Sequence, residues 1–332
     1  MDAGLSLLLP LRSVLESHRF DRTQAAVEGC WGRAMSESDV TPSQSSRLQV
    51  EADADALVAF LQTFSHLVVA FSGGVDSSVV LAAAVRAKLS RLVAVTAKSA
   101  SVARWQCDLA AEIAGHLGVE HWQAETHELS LPEYKRNDSR RCFYCKQTLY
   151  AAIEQEIRNR LGGPSNATSI QSKFHIASGT NADDLGDYRP GIQAGDEKGV
   201  LTPLATLGLG KGRVRALADL WSLPNHDLPA SPCLSSRIAY GVEVTPERLE
   251  RVEAAEGWLF ERGFREFRVR VHEGELARIE VAKSEQFRLL EIDSKGELSR
   301  VFQGLGFRFI TIDLQGFQSG SLNRNLVSIS RF

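Results

Sequence analysis

The stretch LVVAFSGGVDSSVVL, residues 67–81, decides which fold the sequence predicts. Leu67–Phe71 is a short, wholly apolar run, as is typical of a strand buried on both faces of a parallel sheet. Ser77–Leu89 is rich in alanine and valine and predicts a helix. Strand, glycine-containing loop and helix therefore follow one another directly, which is the arrangement of an anion-binding site in an α/β protein.

The loop between strand and helix has the residue types that bind phosphate. Glycine lets the backbone approach an anion, and the first N–H groups of the helix point toward it with the helix dipole behind them. The loop lacks the lysine of a Walker-type loop. The alternative is a turn that only joins strand to helix. It explains less well why the strand, the loop and the helix all have the features of an anion-binding site. The predicted phosphate-binding residues are Ser72, Gly73, Gly74, Asp76, Ser77 and Ser78.

Strands and helices alternate around this loop. A first amphipathic helix is indicated by Leu57 and Leu61. Further strands are predicted at Leu92–Thr96, within His121–Leu129 and at Phe174–Ser178, and further helices at Val102–Leu117 and Phe143–Leu161. This order predicts an α/β fold with a doubly wound parallel sheet.

A second polar loop, SGTNADD, follows the strand at Phe174–Ser178. In an open α/β sheet, ligands bind outside the carboxyl ends of the strands, so this loop is expected to face the same crevice as the first. Its candidate nucleotide-binding residues are Gly179, Thr180 and Asn181, and its candidate Mg²⁺ ligands are Asp183 and Asp184. Capping and turn formation are the alternative roles for either aspartate.

The pattern changes after about residue 240. Thr245 and Pro246 predict the start of a helix, which ends before Gly263. The segment FRVRVH, residues 267–272, predicts a strand with one apolar and one basic face, followed by a return strand, a helix around Lys295–Leu305 and a last strand. We therefore expect an extension without regular structure at residues 1–47, a nucleotide-binding domain at 48–240, and a smaller α+β domain for substrate binding and oligomerisation at 241–332.

Composition excludes some classes of protein. The formal net charge is −3, which does not favour a nucleic-acid partner. No apolar run approaches the roughly 18 residues of a membrane span, and the N-terminus does not resemble a signal peptide. The five cysteines are an odd number, which favours a reducing, cytoplasmic location where thiols stay free or bind metal.

Three of the cysteines are candidates for chemistry. Cys142 and Cys145 form a CxxC pair at the start of a helix, and Cys233 lies in the proline-flanked segment SPCLSSR. The three could hold zinc, hold a [4Fe–4S] cluster with one open corner, or form a persulfide relay. Alternatively, Cys233 could act alone as a thiolate nucleophile whose pKa is lowered by Arg237 or by a nearby helix N-terminus. Cys107 is interpreted as a packing residue, and the sequence around Cys30 indicates no function.

Several motifs together resemble known proteins. The loop SGGVDSS resembles the PP-loop of the ATP pyrophosphatase superfamily. The whole set is similar to the LarE family of ATP-dependent sulfur transferases, which make the nickel-pincer nucleotide cofactor of lactate racemase. The motifs are SGGVDSS (72–78), RCFYCK (141–146), GDYRPG (186–191), SPCLSSRIAYG (231–241), FRVRVHEGELARIEV (267–281) and LGFRFITIDLQGFQSG (305–320).

The resemblance implies a substrate and a reaction. The substrate would be pyridinium-3,5-biscarboxylic acid mononucleotide, a carboxylate of which is adenylated by ATP and Mg²⁺ before sulfur displaces AMP. A C–S cleavage then leaves a thiocarboxylate on the ring. Arg268 and Arg270 match a family motif that would hold phosphate, and a solvated strand face is their alternative role. Arg189 and Arg237 lie in two further motifs and are also candidate ligand contacts. The family forms homo-oligomers, and we expect a hexamer.

One departure concerns the source of the sulfur. In the sacrificial members of the family, the cysteine at the position of Cys233 gives up its own sulfur and becomes dehydroalanine, and the positions of Cys142 and Cys145 hold other residues. This chain has all three cysteines, so it resembles the members in which a [4Fe–4S] cluster carries the transferred sulfide. Sacrificial use of Cys233 remains the alternative.

Three other classes of protein share parts of this pattern. A tRNA-thiolating PP-loop enzyme combines the loop with similar cysteines. This chain has neither an excess of basic residues nor a basic extension that would bind RNA. An ammonia-using synthetase, such as an NAD or GMP synthetase, would not need the cysteines. A non-catalytic nucleotide-binding protein would use them to hold structural zinc.

Overall fold

The computed structural model describes residues 44–161, 174–186, 190–229, 231–318 and 322, and it describes side chains from residue 46 onward. The first helix, α1, is Gln44–Gln62, so it begins inside the segment that the sequence predicts to be an irregular extension. Leu57 and Leu61 are fully buried on its inner face, as predicted. None of the helices in the described ranges combines the length and the apolar character needed to cross a membrane.

A parallel sheet of four strands forms the centre of the first domain. Its strands are β1 His66–Ala70, β2 Arg91–Lys98, β3 Glu120–Glu125 and β4 His175–Ser178, in the spatial order β3-β2-β1-β4. The connecting helices are α2 Val75–Arg86, α3 Arg104–His116 and α4 Arg141–Leu161. After β4 come α5 Pro190–Glu197 and α6 Lys211–Leu220. The predicted α/β fold with a parallel sheet is confirmed.

The strand order has a reversal point between β1 and β4. The chain builds outward from β1 through β2 to β3, and it then returns to place β4 on the other side of β1. The connections on either side of such a point leave a crevice at the carboxyl ends of the two strands, where ligands bind. The segments that leave β1 and β4 are the two polar loops that the sequence indicates.

The second domain is a small mixed sheet covered by helices. Helix α7, Pro246–Glu261, is capped by Thr245, whose Oγ1 accepts a hydrogen bond from the Arg248 N–H at 3.3 Å. The remaining elements are β5 Phe267–His272, β6 Leu276–Val281, α8 Gln286–Asp293, α9 Glu297–Gly304 and β7 Phe309–Ile312. Strands β5 and β6 are antiparallel, and β6 and β7 are parallel. Helix α8 is not predicted by the sequence.

The segment that carries Cys233 joins the two domains. Leu234 and Ile238 are buried in the hydrophobic core of the second domain, and Ile238 pairs with Val271 of β5. On the other side, the Leu234 N–H donates to the Ser101 carbonyl, in the loop after β2, at 2.8 Å. The cysteine is therefore held between the nucleotide-binding sheet and the second domain.

Replacing Phe302 tests the second core. Its ring is fully buried and lies 6.0 Å from Trp258 and 5.6 Å from Phe307, centroid to centroid. Because it leaves a cavity, Phe302→Ala should lower the free energy of unfolding by about 3–5 kcal/mol in a denaturant titration. The control is Phe287→Ala, whose side chain is 80% exposed and should change the same quantity by less than about 0.5 kcal/mol. Equal effects of the two substitutions would contradict this description of the core.

Candidate active site

The phosphate loop is shaped by glycine at the carboxyl end of β1. Gly73 has a φ of 71°, and a Cβ atom there would lie 3.1 Å from the backbone of Ala110 in α3. Helix α2 begins at Val75, two residues earlier than predicted, so the free N–H groups of its first turn lie in the loop itself. The geometry is that of an anion site with a helix dipole behind it.

The serines of this loop are mostly used to hold the loop together. The Ser77 hydroxyl donates to the Gly74 carbonyl at 3.0 Å and lies 3.2 Å from the Ser72 hydroxyl. Ser78 is fully buried, and its hydroxyl accepts a hydrogen bond from the Asn225 amide at 3.0 Å. The hydroxyl of Ser78 therefore has a partner inside the fold, and the assignment of all three hydroxyls to a ligand stays a prediction.

Asn225 is a site residue that sequence reasoning missed. Its fully buried amide also donates to the Gly73 carbonyl at 2.8 Å, so it ties the loop to the segment after α6. Nothing in the local sequence around Asn225 distinguishes it from an ordinary turn residue. Only the folded chain places it behind the loop.

The loop after β4 touches the phosphate loop. A Cβ atom on Gly179 would lie 2.6 Å from the Ser77 nitrogen, closer than any side chain can approach. The hydroxyls of Ser178 and Thr180 lie 3.0 Å apart beside this contact. The two loops therefore line one crevice, as the sheet topology predicts.

The two predicted magnesium ligands have different surroundings. The Asp183 carboxylate accepts a hydrogen bond from the Lys211 N–H at 2.7 Å, which is the capping role for the start of α6. Asp184 is buried near Asp76 instead. Burial, together with the charge of Asp184, raises the pKa of Asp76, which the Asn181 amide and Lys211 partly offset. A hard divalent cation would relieve this repulsion, so Asp76 and Asp184 are the better candidates.

The three candidate cysteines form a second cluster. Cys142 and Cys145 lie in the first two turns of α4. Cys142 is exposed, and Cys145 and Cys233 are partly buried. Burial, and after it the charge of Cys233, raises the pKa of Cys145. Burial alone would lower the pKa of Arg141. The negative charges of the Cys233 and Cys142 thiolates outweigh this effect, so the pKa of Arg141 is raised. Both effects require the three thiols to share one neighbourhood.

Hydrogen bonds attach the Cys233 segment to the start of α4. The Arg141 guanidinium donates to the Ser235 carbonyl at 2.7 Å, and the hydroxyls of Tyr134 and Ser235 lie 2.6 Å apart. The Asn137 amide donates to the carbonyls of Ala239 and Val242, both at 2.8 Å. These buried contacts bring a segment from late in the chain to the CxxC pair.

Arg237 holds the cysteine loop. It is buried and makes two bonds to the Glu256 carboxylate, at 3.0 and 2.9 Å. It also donates to the carbonyls of Pro232 and of Cys233, the latter at 3.0 Å. The sequence predicts a ligand contact or an activator of Cys233, whereas this geometry gives Arg237 a positioning role, with its charge balanced by Glu256.

The two arginines of β5 do not form a solvated face. Arg270 is buried, donates to the Glu280 carboxylate at 2.9 Å and donates to the Ser236 carbonyl at 3.0 Å. Burial, followed by the charges of Arg237 and Arg270, lowers the pKa of Arg268 to about 10. Three guanidinium groups thus lie together, and an anion would stabilise them. A solvated strand face does not describe Arg270, which is buried, whereas Arg268 is half-buried.

The three candidate cysteines are the type of ligand that binds a [4Fe–4S] cluster. Three soft thiol ligands with one open corner match such a cluster, which holds its ligands further apart than a single ion does. No three His, Cys, Asp or Glu side chains of the described ranges already surround a single point as one metal ion requires.

The remaining candidates lie elsewhere. Arg189 and Cys30 fall outside the described residues. Cys107 is partly buried in the first turn of α3, with its sulfur 3.9 Å from the Ala97 carbonyl, which agrees with a packing role. A cavity of about 870 Å³ opens at the carboxyl ends of β2 and β3, and its lining includes Lys98, Ser99, Cys107, His127 and Leu129.

Gly179→Ala tests the contact between the two loops. Because the new methyl group would collide with the Ser77 backbone, the loops should separate and ATP should bind about tenfold or more weakly in a calorimetric titration. Gly186→Ala is the matched control, since a Cβ atom there meets nothing within 4 Å. Unchanged ATP affinity in the Gly179 variant would show that the crevice is not the nucleotide site.

Asp76→Asn should separate stability from function. The raised folded-state pKa of Asp76 means that its charge destabilises the fold as the pH rises above the ordinary aspartate pKa. The variant should therefore unfold at equal or higher denaturant concentration at neutral pH without Mg²⁺, yet bind Mg²⁺ with ATP about 10–100-fold more weakly. Wild-type affinity would exclude Asp76 as a magnesium ligand, and lower stability would contradict the repulsion with Asp184.

Comparison with known proteins agrees with this site. A family model described as asparagine synthase matches residues 54–136, which include β1, the phosphate loop, β2 and β3. The uncharacterized protein slr1717 of Synechocystis sp. is 39% identical over 83% of this chain and 99% of its own length. The uncharacterized protein MJ0830 of Methanocaldococcus jannaschii is 24% identical over 76% of this chain and 91% of its own length.

A relative with a stated activity is similar over nearly all of its length. The pyridinium-3,5-bisthiocarboxylic acid mononucleotide synthase of Lactiplantibacillus plantarum is 34% identical over 81% of this chain and 93% of its own length. Such identity over both domains exceeds what a shared nucleotide-binding domain alone would give. The chain therefore belongs to the LarE family of ATP-dependent sulfur transferases.

Proposed function

We propose that the chain uses ATP to transfer sulfur to pyridinium-3,5-biscarboxylic acid mononucleotide and so makes a thiocarboxylate precursor of a nickel-pincer cofactor. One observation carries the proposal. The Cys233 segment is hydrogen-bonded both to the loop after β2, through Leu234 and Ser101 at 2.8 Å, and to the start of α4, through Ser235 and Arg141 at 2.7 Å. The thiols are thereby held beside the carboxyl edge of the nucleotide-binding sheet.

Activation of the substrate is assigned to the two touching loops. The N–H groups of the phosphate loop bind the polyphosphate of ATP, and Asp76 with Asp184 binds Mg²⁺. A substrate carboxylate oxygen attacks the α-phosphorus, the bond to the β-phosphate oxygen breaks, and pyrophosphate leaves. The product is an acyl adenylate, whose carbonyl carbon is open to a sulfur nucleophile.

The sulfur step is assigned to the cysteine cluster. A [4Fe–4S] cluster held by Cys142, Cys145 and Cys233 would supply the transferable sulfur when bound. The chain itself fixes the geometry: Arg237 holds the carbonyl of Cys233, and Arg141 holds that of Ser235. AMP leaves as the carbon–sulfur bond forms. In the alternative, the Cys233 thiolate attacks, and loss of its Cα proton breaks the Cβ–S bond and leaves dehydroalanine.

The substrate phosphate is assigned to the guanidinium groups of the second domain. Arg268 lies beside Arg237 and Arg270, whose own carboxylate partners are Glu256 and Glu280. Arginine binds phosphate with two parallel hydrogen bonds, so this group is our candidate for the phosphate contact. A homo-oligomer, and a hexamer in particular, stays a prediction.

The decisive test identifies the sulfur source. The protein is purified without oxygen, iron and acid-labile sulfide are measured, and the intact mass is recorded before and after reaction with ATP, Mg²⁺ and the pyridinium substrate. We expect about four irons per chain and an unchanged polypeptide mass. Each of Cys142→Ser, Cys145→Ser and Cys233→Ser should abolish iron binding, whereas the matched Cys107→Ser variant should retain it.

Other results are equally informative. A chain without iron that loses about 34 Da at Cys233, the mass of H₂S, would overturn the cluster and establish sacrificial transfer. Absence of pyrophosphate release with the pyridinium substrate would overturn the proposed function itself. Zinc in place of iron, with no consumption of ATP, would favour a non-catalytic protein.

A further inference from the structure

Glu128 is a buried carboxylate that none of the steps above uses. It follows β3, and its side chain is 1% exposed. One oxygen, Oε1, accepts hydrogen bonds from the hydroxyls of Ser99 at 2.6 Å and Ser101 at 2.5 Å. The other oxygen, Oε2, is buried and has no hydrogen-bond partner.

The charge of Glu128 is not balanced within the described part of the chain. Its hydrogen-bond partners are two neutral hydroxyls, and among the described residues no lysine, arginine or histidine forms an ion pair with it. Removing a carboxylate from water costs free energy that a cation or further hydrogen bonds must offset. An uncompensated buried charge beside a reaction site is therefore expected to have its partner in a ligand.

The position of Glu128 limits what that ligand can be. The Ser101 carbonyl also accepts the hydrogen bond from the Leu234 N–H, which holds the Cys233 segment. Ser101 therefore contacts both the Glu128 carboxylate and that segment. Its charge acts on Tyr134 and on Cys145. Ser99, His127 and Leu129 line the cavity at the ends of β2 and β3, so Glu128 adjoins that cavity through its neighbours in the chain and its hydrogen bond to Ser99.

We propose that Glu128 recognises the fixed positive charge of the substrate's pyridinium ring, an inference that rests on the proposed function. The sulfur must reach a carboxyl carbon bonded directly to that ring. A carboxylate close to the thiols is consequently close to the ring when sulfur is transferred. In a site that excludes water, attraction between the ring and a buried carboxylate is stronger than in solution. This would select a pyridinium ring over an uncharged aromatic ring of the same shape.

The experiment measures charge recognition separately from folding and from ATP binding. The substitution is Glu128→Gln, which keeps an oxygen for Ser99 and Ser101 but removes the charge. Pyrophosphate release is measured with the pyridinium substrate and with a mononucleotide carrying an uncharged benzene dicarboxylate ring. Two controls accompany it: Glu120→Gln, an exposed residue at the opposite end of β3, and Ser99→Ala, which removes one hydrogen bond but keeps the charge.

We expect Glu128→Gln to raise KM for the pyridinium substrate about tenfold and to leave KM for ATP and for the uncharged analogue unchanged. Both controls should keep the wild-type preference for the charged ring. An equal rise of KM for both ring types would indicate a structural role and overturn the inference, as would no change for either. If the wild-type chain releases no pyrophosphate with the pyridinium substrate, it is the proposed function that has failed.

Discussion

The close approach of two backbone loops organises the nucleotide side of this protein. Gly179, after β4, lies against the Ser77 nitrogen, after β1, at a separation that admits no side chain. The contact is possible because β1 and β4 are parallel neighbours whose carboxyl ends meet at the reversal point of the sheet. It brings the N–H groups of α2 and the carboxylates of Asp76 and Asp184 to one crevice, which is where we propose that a polyphosphate and its metal ion bind.

The cysteine side depends on a different constraint, the docking of one loop between two domains. Besides the packing of Leu234 and Ile238, the Cys233 segment is held by polar groups from other parts of the chain: Ser101, Arg141, Asn137 and, through Arg237, Glu256. Most of these groups are buried, so each bond is made without competition from water and each lost partner would leave an unsatisfied polar atom. A reactive loop is thereby kept in place by its surroundings.

Charge is distributed unevenly between the two sides. Carboxylates gather at the phosphate loop, where a cation is expected, and guanidinium groups gather at β5, where an anion is expected. Arg270 and Arg278 share the fully buried Glu280, so part of the positive charge is already neutralised and serves the fold. Arg268 keeps a lowered pKa because burial and two like charges act on it together. The two groups of charge therefore differ in sign and lie in different parts of the fold.

Features that depend on near neighbours along the chain can be predicted without the folded structure. The apolar strand before SGGVDSS, the capped helix at Thr245 and the alternation in FRVRVH each follow from residues within one or two turns, so their elements and the anion loop could be predicted. The motifs were specific enough to indicate the LarE family. Roles that depend on distant partners are visible only in the folded chain: Asn225 behind the phosphate loop, Asp183 as a cap, Arg237 as a loop anchor and Glu128 buried against Ser99 and Ser101. Local sequence cannot reveal these roles because burial and partner distance are properties of the folded chain.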